Sequence, residues 1–285
     1  ATGYQALDSN TAGSNNTAFG SSALASTTIS FNNVAVGLQS LFTNISGSSN
    51  TAIGKDALFS NTASNNTAVG FEAGYNNTSG TYINALGYRA LRSNTTGIFN
   101  VSTGGDSMFS NTTGSNNVAY GVNALNANIT GSNNTSIGHN SLIVNTASNN
   151  TAVGFEAGLS NTSGTSITAI GYQALRANTT GTSNTAIGNA SLSSNTTGVD
   201  NTAVGSICLS ANTTGNYNIA VGSNEQSGNF SQCIMLGIGD TATANGEFRI
   251  GSAIVPLNAP VVAANVSTQY LPIFINGVSY KMLLA

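Results

Sequence analysis

Apolar and polar positions alternate in short bursts that return at a fixed interval. Each burst reads Asn-Thr-Ala-Val/Ile-Gly or a close variant. Its closing glycine recurs at Gly3, Gly20, Gly37, Gly54, Gly70, Gly87, Gly104, Gly121, Gly138, Gly154, Gly171, Gly188, Gly205 and Gly222. The interval is 17 residues, except from Gly54 to Gly70 and from Gly138 to Gly154, where it is 16. A short fixed period marks a solenoid, whose repeats bury their apolar faces only by stacking. Counted from the anchor glycine, position −1 is apolar, as at Val36, Ile53, Val69, Ile137 and Ile170. Position −2 is mostly alanine, and position −3 is threonine or a β-branched apolar residue such as Val34, Val118 or Ile219. This alternation predicts a short strand with one β-branched face and one small face. Position +4 is usually leucine, as at Leu7, Leu24, Leu41, Leu58, Leu91, Leu125, Leu142, Leu175, Leu192 and Leu209. It predicts a second short strand whose leucine also enters a core.

Between the two predicted strands lies Asn-Thr-Thr-Gly or a variant, which is turn chemistry. The expected fold is therefore all-β: a parallel β-solenoid with 17-residue coils, each of two strands and two turns, over residues 1–236. At about 4.8 Å per coil, such a rod would be about 60 Å long. The two shortened coils, at 61–65 and 145–149, drop the turn glycine and keep both predicted strands. Asparagine fills two columns. One follows the leucine (Asn10, Asn44, Asn61, Asn128) and the other precedes the Thr-Ala strand (Asn16, Asn33, Asn50, Asn134). Stacked amides can hydrogen-bond up and down a rod, and asparagine suits its corners.

Composition narrows the function. Charged residues make up 5% of the 285, and the net charge is −3. The six Lys+Arg lack the basic face that phosphate binding needs, so nucleic acid is not an expected partner. No run approaches the roughly 18 apolar residues of a membrane span. The chain opens inside a repeat, at Ala1-Thr2-Gly3, as a processed or truncated start would. Cys208 and Cys233 stand in different columns and are expected to stay unpaired. The lone histidine, His139, reads as a surface residue, and no Cys/His cluster has metal spacing. Acids are too sparse for a calcium-binding roll. No catalytic, cofactor-binding or metal residue is expected, and no enzymatic activity.

The outward columns hold the candidate interaction chemistry. Five after the anchor come Phe42, Phe59, Tyr75, Arg92 and Phe109, and one after it the pairs Phe71/Tyr88 and Phe155/Tyr172. Such ladders suit a chain–chain interface or a carbohydrate-stacking surface, the interface being preferred. Two after the anchor, Asp56, Glu72, Arg89 and Asp106 read as a solvated column in which Arg89 bridges its acidic neighbours. Asn94, Asn111, Asn178, Asn195 and Asn212 are sequons, either glycosylated or incidental to the turns.

After Gly222 the period decays, with degenerate rungs at 233–237 and 247–251 and a link at 253–266. The segment 237–285 ends in a predicted hairpin about Asn276-Gly277. Its apolar runs carry Tyr270, Leu271, Ile273, Phe274, Ile275, Tyr280, Met282, Leu283 and Leu284, dense enough to cap or assemble the rod.

The segment Asn32-Asn33-Val34-Ala35-Val36-Gly37-Leu38-Gln39-Ser40 resembles the head signature of YadA-like trimeric autotransporter adhesins. Gly-Tyr-Gln-Ala-Leu, then Asn-Thr-Thr-Gly, then Asn-Thr-Ala-Val-Gly is similar to the repeats of phage and large-virus tail fibres. The resemblance covers residues 1–236 and implies a left-handed β-roll, three chains side by side, displayed outside a cell or on a virion. The adhesin repeat is shorter, nearer 14 residues, and no coiled-coil stalk, anchor barrel or chaperone-protease domain is visible. The expected function is thus a structural, self-assembling extracellular rod for adhesion or receptor binding. A single-chain rod stacked head to tail into a glycosylated filament is one alternative, and a glycan- or ice-binding solenoid another. The threonines fall mainly as Thr-Thr in turns, which counts against ice.

Overall fold

The computed structural model describes residues 1–252, 270–275 and 278–283, with side chains through residue 250. Fifteen strands, from β1 (Thr17–Phe19) to β15 (Phe248–Ser252), form one parallel sheet in strict chain order. Each strand pairs anchor to anchor with the next, as Thr168↔Thr185, Ala169↔Ala186 and Ile170↔Ile187 show. This is a parallel β-solenoid with coils of about 17 residues, and at about 4.8 Å per strand its sheet spans about 70 Å. The ladder runs past Gly237: β14 (Ile234–Ile238) and β15 fall on the two degenerate rungs.

Each coil has one strand, not two. The leucine segment is a chain of turns in which residues +2 and +4 both take positive φ, for example Gln39 (55°) and Leu41 (51°). The period-2 pattern is there because alternating left-handed residues also send successive side chains to opposite sides. Inter-coil bonds hold these unfavourable backbone angles: Gln39 N–H donates down to Ser21 O (3.0 Å) and Leu41 N–H up to Ala57 O (3.0 Å). Every leucine from Leu24 to Leu209 in this column is fully buried.

The strand buries its small face. Ala35, Ala52, Ala152 and Ala186 are inaccessible, while residues at −1 and −3 point outward. The core is about one leucine wide, so alanine is what fits opposite it. Two coils keep this buried alanine and fill the rest of the core differently. At Gly74 and Gly158 the +4 leucine is missing, and Ile83 and Ile167 replace the buried asparagine of the −4 column. A Cβ on Gly74 would lie 2.9 Å from Leu58 Cδ2 and 3.5 Å from Ile83 Cδ1, so leucine and isoleucine fill the vacated volume.

Both asparagine columns are buried amide ladders. In the first, Asn94 Nδ2 donates to Asn77 Oδ1 (2.7 Å) and to Gly97 O (3.0 Å), and the same pair of bonds recurs at Asn178. In the second, Asn134 N–H donates to Asn117 Oδ1 (2.9 Å), while Asn117 Nδ2 reaches Gly131 O (2.9 Å). In the shortened coils Asn61 and Asn145 donate instead to Ala63 O and Ala147 O, two residues on, and the amide ladder breaks there, leaving Asn44 Oδ1 and Asn128 Oδ1 buried without a partner among the described residues. A separate antiparallel pair, β16 (Tyr270–Ile275) with β17 (Val278–Leu283), closes with Ile275 opposite Val278. The Asn276-Gly277 turn and Leu284 lie outside the described residues, as do the side chains of Tyr270, Leu271, Ile273, Phe274, Ile275, Tyr280, Met282 and Leu283.

Candidate functional site

Two outward faces carry chemistry. The first is the sheet itself. Position −1 presents Phe19, Ile53, Leu86, Tyr120, Ile137, Ile170, Ile187, Val221, Leu236 and Ile250 to solvent, from 36% exposed at Leu236 to 60% at Phe19. Position −3 adds Thr17, Val34, Thr51, Val101, Val118, Thr168 and Ile219 on the same side. No charged residue stands in either column from β1 to β15. Position −1 was legible as apolar, but hydropathy alone would have sent these residues inward. The coil is too narrow for them.

The second face is built from the turn residues. The +5 column stacks as expected: Phe42 on Phe59 (5.1 Å between centroids) and Phe59 on Tyr75 (5.0 Å). Arg92 lies over Tyr75 (5.3 Å) and Phe109 (5.8 Å) and continues the ladder. The +1 column stacks Phe71 on Tyr88 and, separately, His139 on Phe155 and Phe155 on Tyr172. Arg89 contacts both Tyr88 (4.7 Å) and Phe109 (4.9 Å), so columns +1, +2 and +5 form one surface. A third stack, Tyr82 on Phe99, escaped the sequence reading because the −5 column holds only a few aromatics.

The rings lie within 14° of parallel, one coil apart along the rod. Within each stack the faces cover one another, and besides the edges only end rings, such as the half-exposed Tyr172, keep a face uncovered by another ring. A sugar stacks on an exposed ring face, so this geometry works against the carbohydrate platform and in favour of a register-locking spine. The charges on this face are also compensated. Arg89 pairs with Asp106 alone (2.8 and 2.9 Å), and Glu72 is taken by Arg92, so the expected double bridge through Arg89 is not formed. Lys55 holds Asp56 at 2.6 Å. Gln173 first and Arg176 second hold the Glu156 carboxyl below its ordinary 4.5.

The sequons are corrected by burial. Asn94, Asn111, Asn178, Asn195 and Asn212 are wholly inaccessible, and each Nδ2 already donates twice. A glycan has no place on them in the folded coil. Nor do these columns present amides to solvent, because their side chains point inward. The turn threonines are occupied too: Thr95 Oγ1 donates to Thr112 O and Thr179 Oγ1 to Thr196 O, both at 3.0 Å. Cys208 and Cys233 are free and buried, and burial first, then Glu225, push the Cys208 thiol up to about 12. Such a thiol is inert.

Compared with known proteins, the chain matches no family model, no curated relative and no solved structure. A likeness within the chain is stronger. Residues 61–97 and 145–181, five coils apart, agree at all but seven positions. The seven, at 75, 76, 82, 84, 86, 89 and 93 in the first copy, all lie outside the core. The Phe–Tyr stack, the Glu–Arg pair and the Gly–Ile core swap recur in both copies.

Proposed function

We propose that this chain is a structural rod that associates side by side with copies of itself through the outer face of its sheet. The observation that supports this reading is the uncharged row at −1 and −3. A ribbon about 70 Å long and about 10 Å wide is about 700 Å², near the 800 Å² per partner of a standard interface, with its apolar side chains concentrated at −1 and threonine at most −3 positions. The β-roll repeat is consistent with the fibre families that the motif resembles. On that resemblance three chains are the favoured arrangement, and adhesion or receptor binding at a cell or virion surface the favoured purpose. In this reading the aromatic columns stiffen each rod and do not join rods.

The test is a pair of variants. Ile170→Lys with Ile187→Lys places two charges on the sheet face, and association should weaken at least about tenfold, the cost of burying charge without a partner. Phe59→Lys, on the aromatic face, should leave association unchanged. Equal association of the sheet-face variant and the parent would remove the proposal. Loss of association with Phe59→Lys alone would move the interface to the aromatic columns.

A further inference from the structure

Column +3 is the small-residue column, filled by alanine or serine and once by Cys208, all buried where the rod is regular. Glu225 stands in that column where the regular rod ends. Below it the leucine column closes with Leu209. Above it the +4 residue is Gln226, and the strands lengthen from three residues to five. Glu225 therefore lies in the layer that joins the leucine-cored rod to its terminal coils.

Its carboxyl is poorly served there. Glu225 is wholly inaccessible, and Oε2 has no hydrogen-bond partner among the described residues. Oε1 is approached by one donor, the Asp240 N–H, at 3.4 Å. The titratable groups facing it are Cys208 from the coil below, Asp240 from the coil above and Arg249 from β15. Arg249 is already engaged by Asp240 (2.8 Å) and Glu247 (3.2 Å), so among the described side chains no cation facing Glu225 is free to neutralise it. A carboxylic acid fits this site, and a carboxylate does not.

We propose that Glu225 is a pH-sensitive latch: protonated, it seats strands β14 and β15 on the rod; ionised, it loosens them. Burial raises its pKa above the ordinary 4.5; the Asp240 N–H and Arg249 oppose the rise, and the Asp240 charge adds to it. The folded end therefore holds the proton more tightly than the unfolded chain does. Its stability is complete below 4.5 and falls as pH rises through the folded pKa. Cys208, pushed up to about 12, does not titrate in that interval. Loosening uncovers the edge of β13 (Ile219–Ser223), which can then pair with another strand. The latch is independent of how rods associate laterally.

Amide hydrogen exchange on the full chain tests this, corrected for the intrinsic rate, from about pH 4 to about pH 9. Protection of β14 and β15 should fall about tenfold or more over that range, while β9 (Thr151–Val153) holds steady. Glu225→Gln should abolish the dependence. Glu225→Ala, the residue most coils place in this column, gives the same readout should the glutamine variant fail to fold. Protection in the parent that ignores pH, or that falls equally in the neutral variants, would overturn the latch.

Discussion

At the residue scale, each coil position is fixed by what lies directly above and below it. Gly121 takes φ of +136°, and a Cβ there would sit 2.6 Å from Gly138 O. Gly121→Ala should destabilise the rod by about 2 kcal/mol or more, through backbone strain and lost inter-coil bonds, read as a lowered melting temperature. Leu125→Asp should do more, on the order of 3 to 5 kcal/mol, because it places an unpaired charge in the narrow core. An unchanged melt would put that column outside. These positions were legible because glycine and leucine recur without competing explanations. The sequons were not, since Asn-x-Thr reads the same whether the amide faces water or the coil above.

At the element scale, the sequence revealed the coil and concealed its shape. The leucine run alternates as a strand does, but its backbone turns at every second residue, as at Gln39 and Leu41. Hydropathy could not say that Ala186 faces inward and Ile187 outward, because the deciding quantity is the width of the core. The swap at Gly74 and Ile83 shows that width directly. Gly74→Leu alone should cost about 1 to 3 kcal/mol by overpacking against Leu58, and Ile83→Asn alone about 2 to 5 kcal/mol by opening a cavity. The double variant restores the arrangement of neighbouring coils and should recover about 1 to 3 kcal/mol relative to the sum. Strict additivity in a thermal or denaturant cycle would show that the two positions do not share a space.

At the scale of the whole molecule, fifteen stacked strands leave one broad uncharged face, while the described side-chain cations, Lys55, Arg89, Arg92, Arg176 and Arg249, are all ion-paired. Lateral self-association is the proposal that rests on that face, and it is the central claim. Its most direct test is the solution mass of the purified 28.6 kDa chain, by light scattering over a wide concentration range. The account predicts a stable small multiple of the chain mass, three being favoured, that falls toward the single chain in the Ile170→Lys, Ile187→Lys variant. A parent that stays at 28.6 kDa at every concentration, with the sheet face bare, would contradict it.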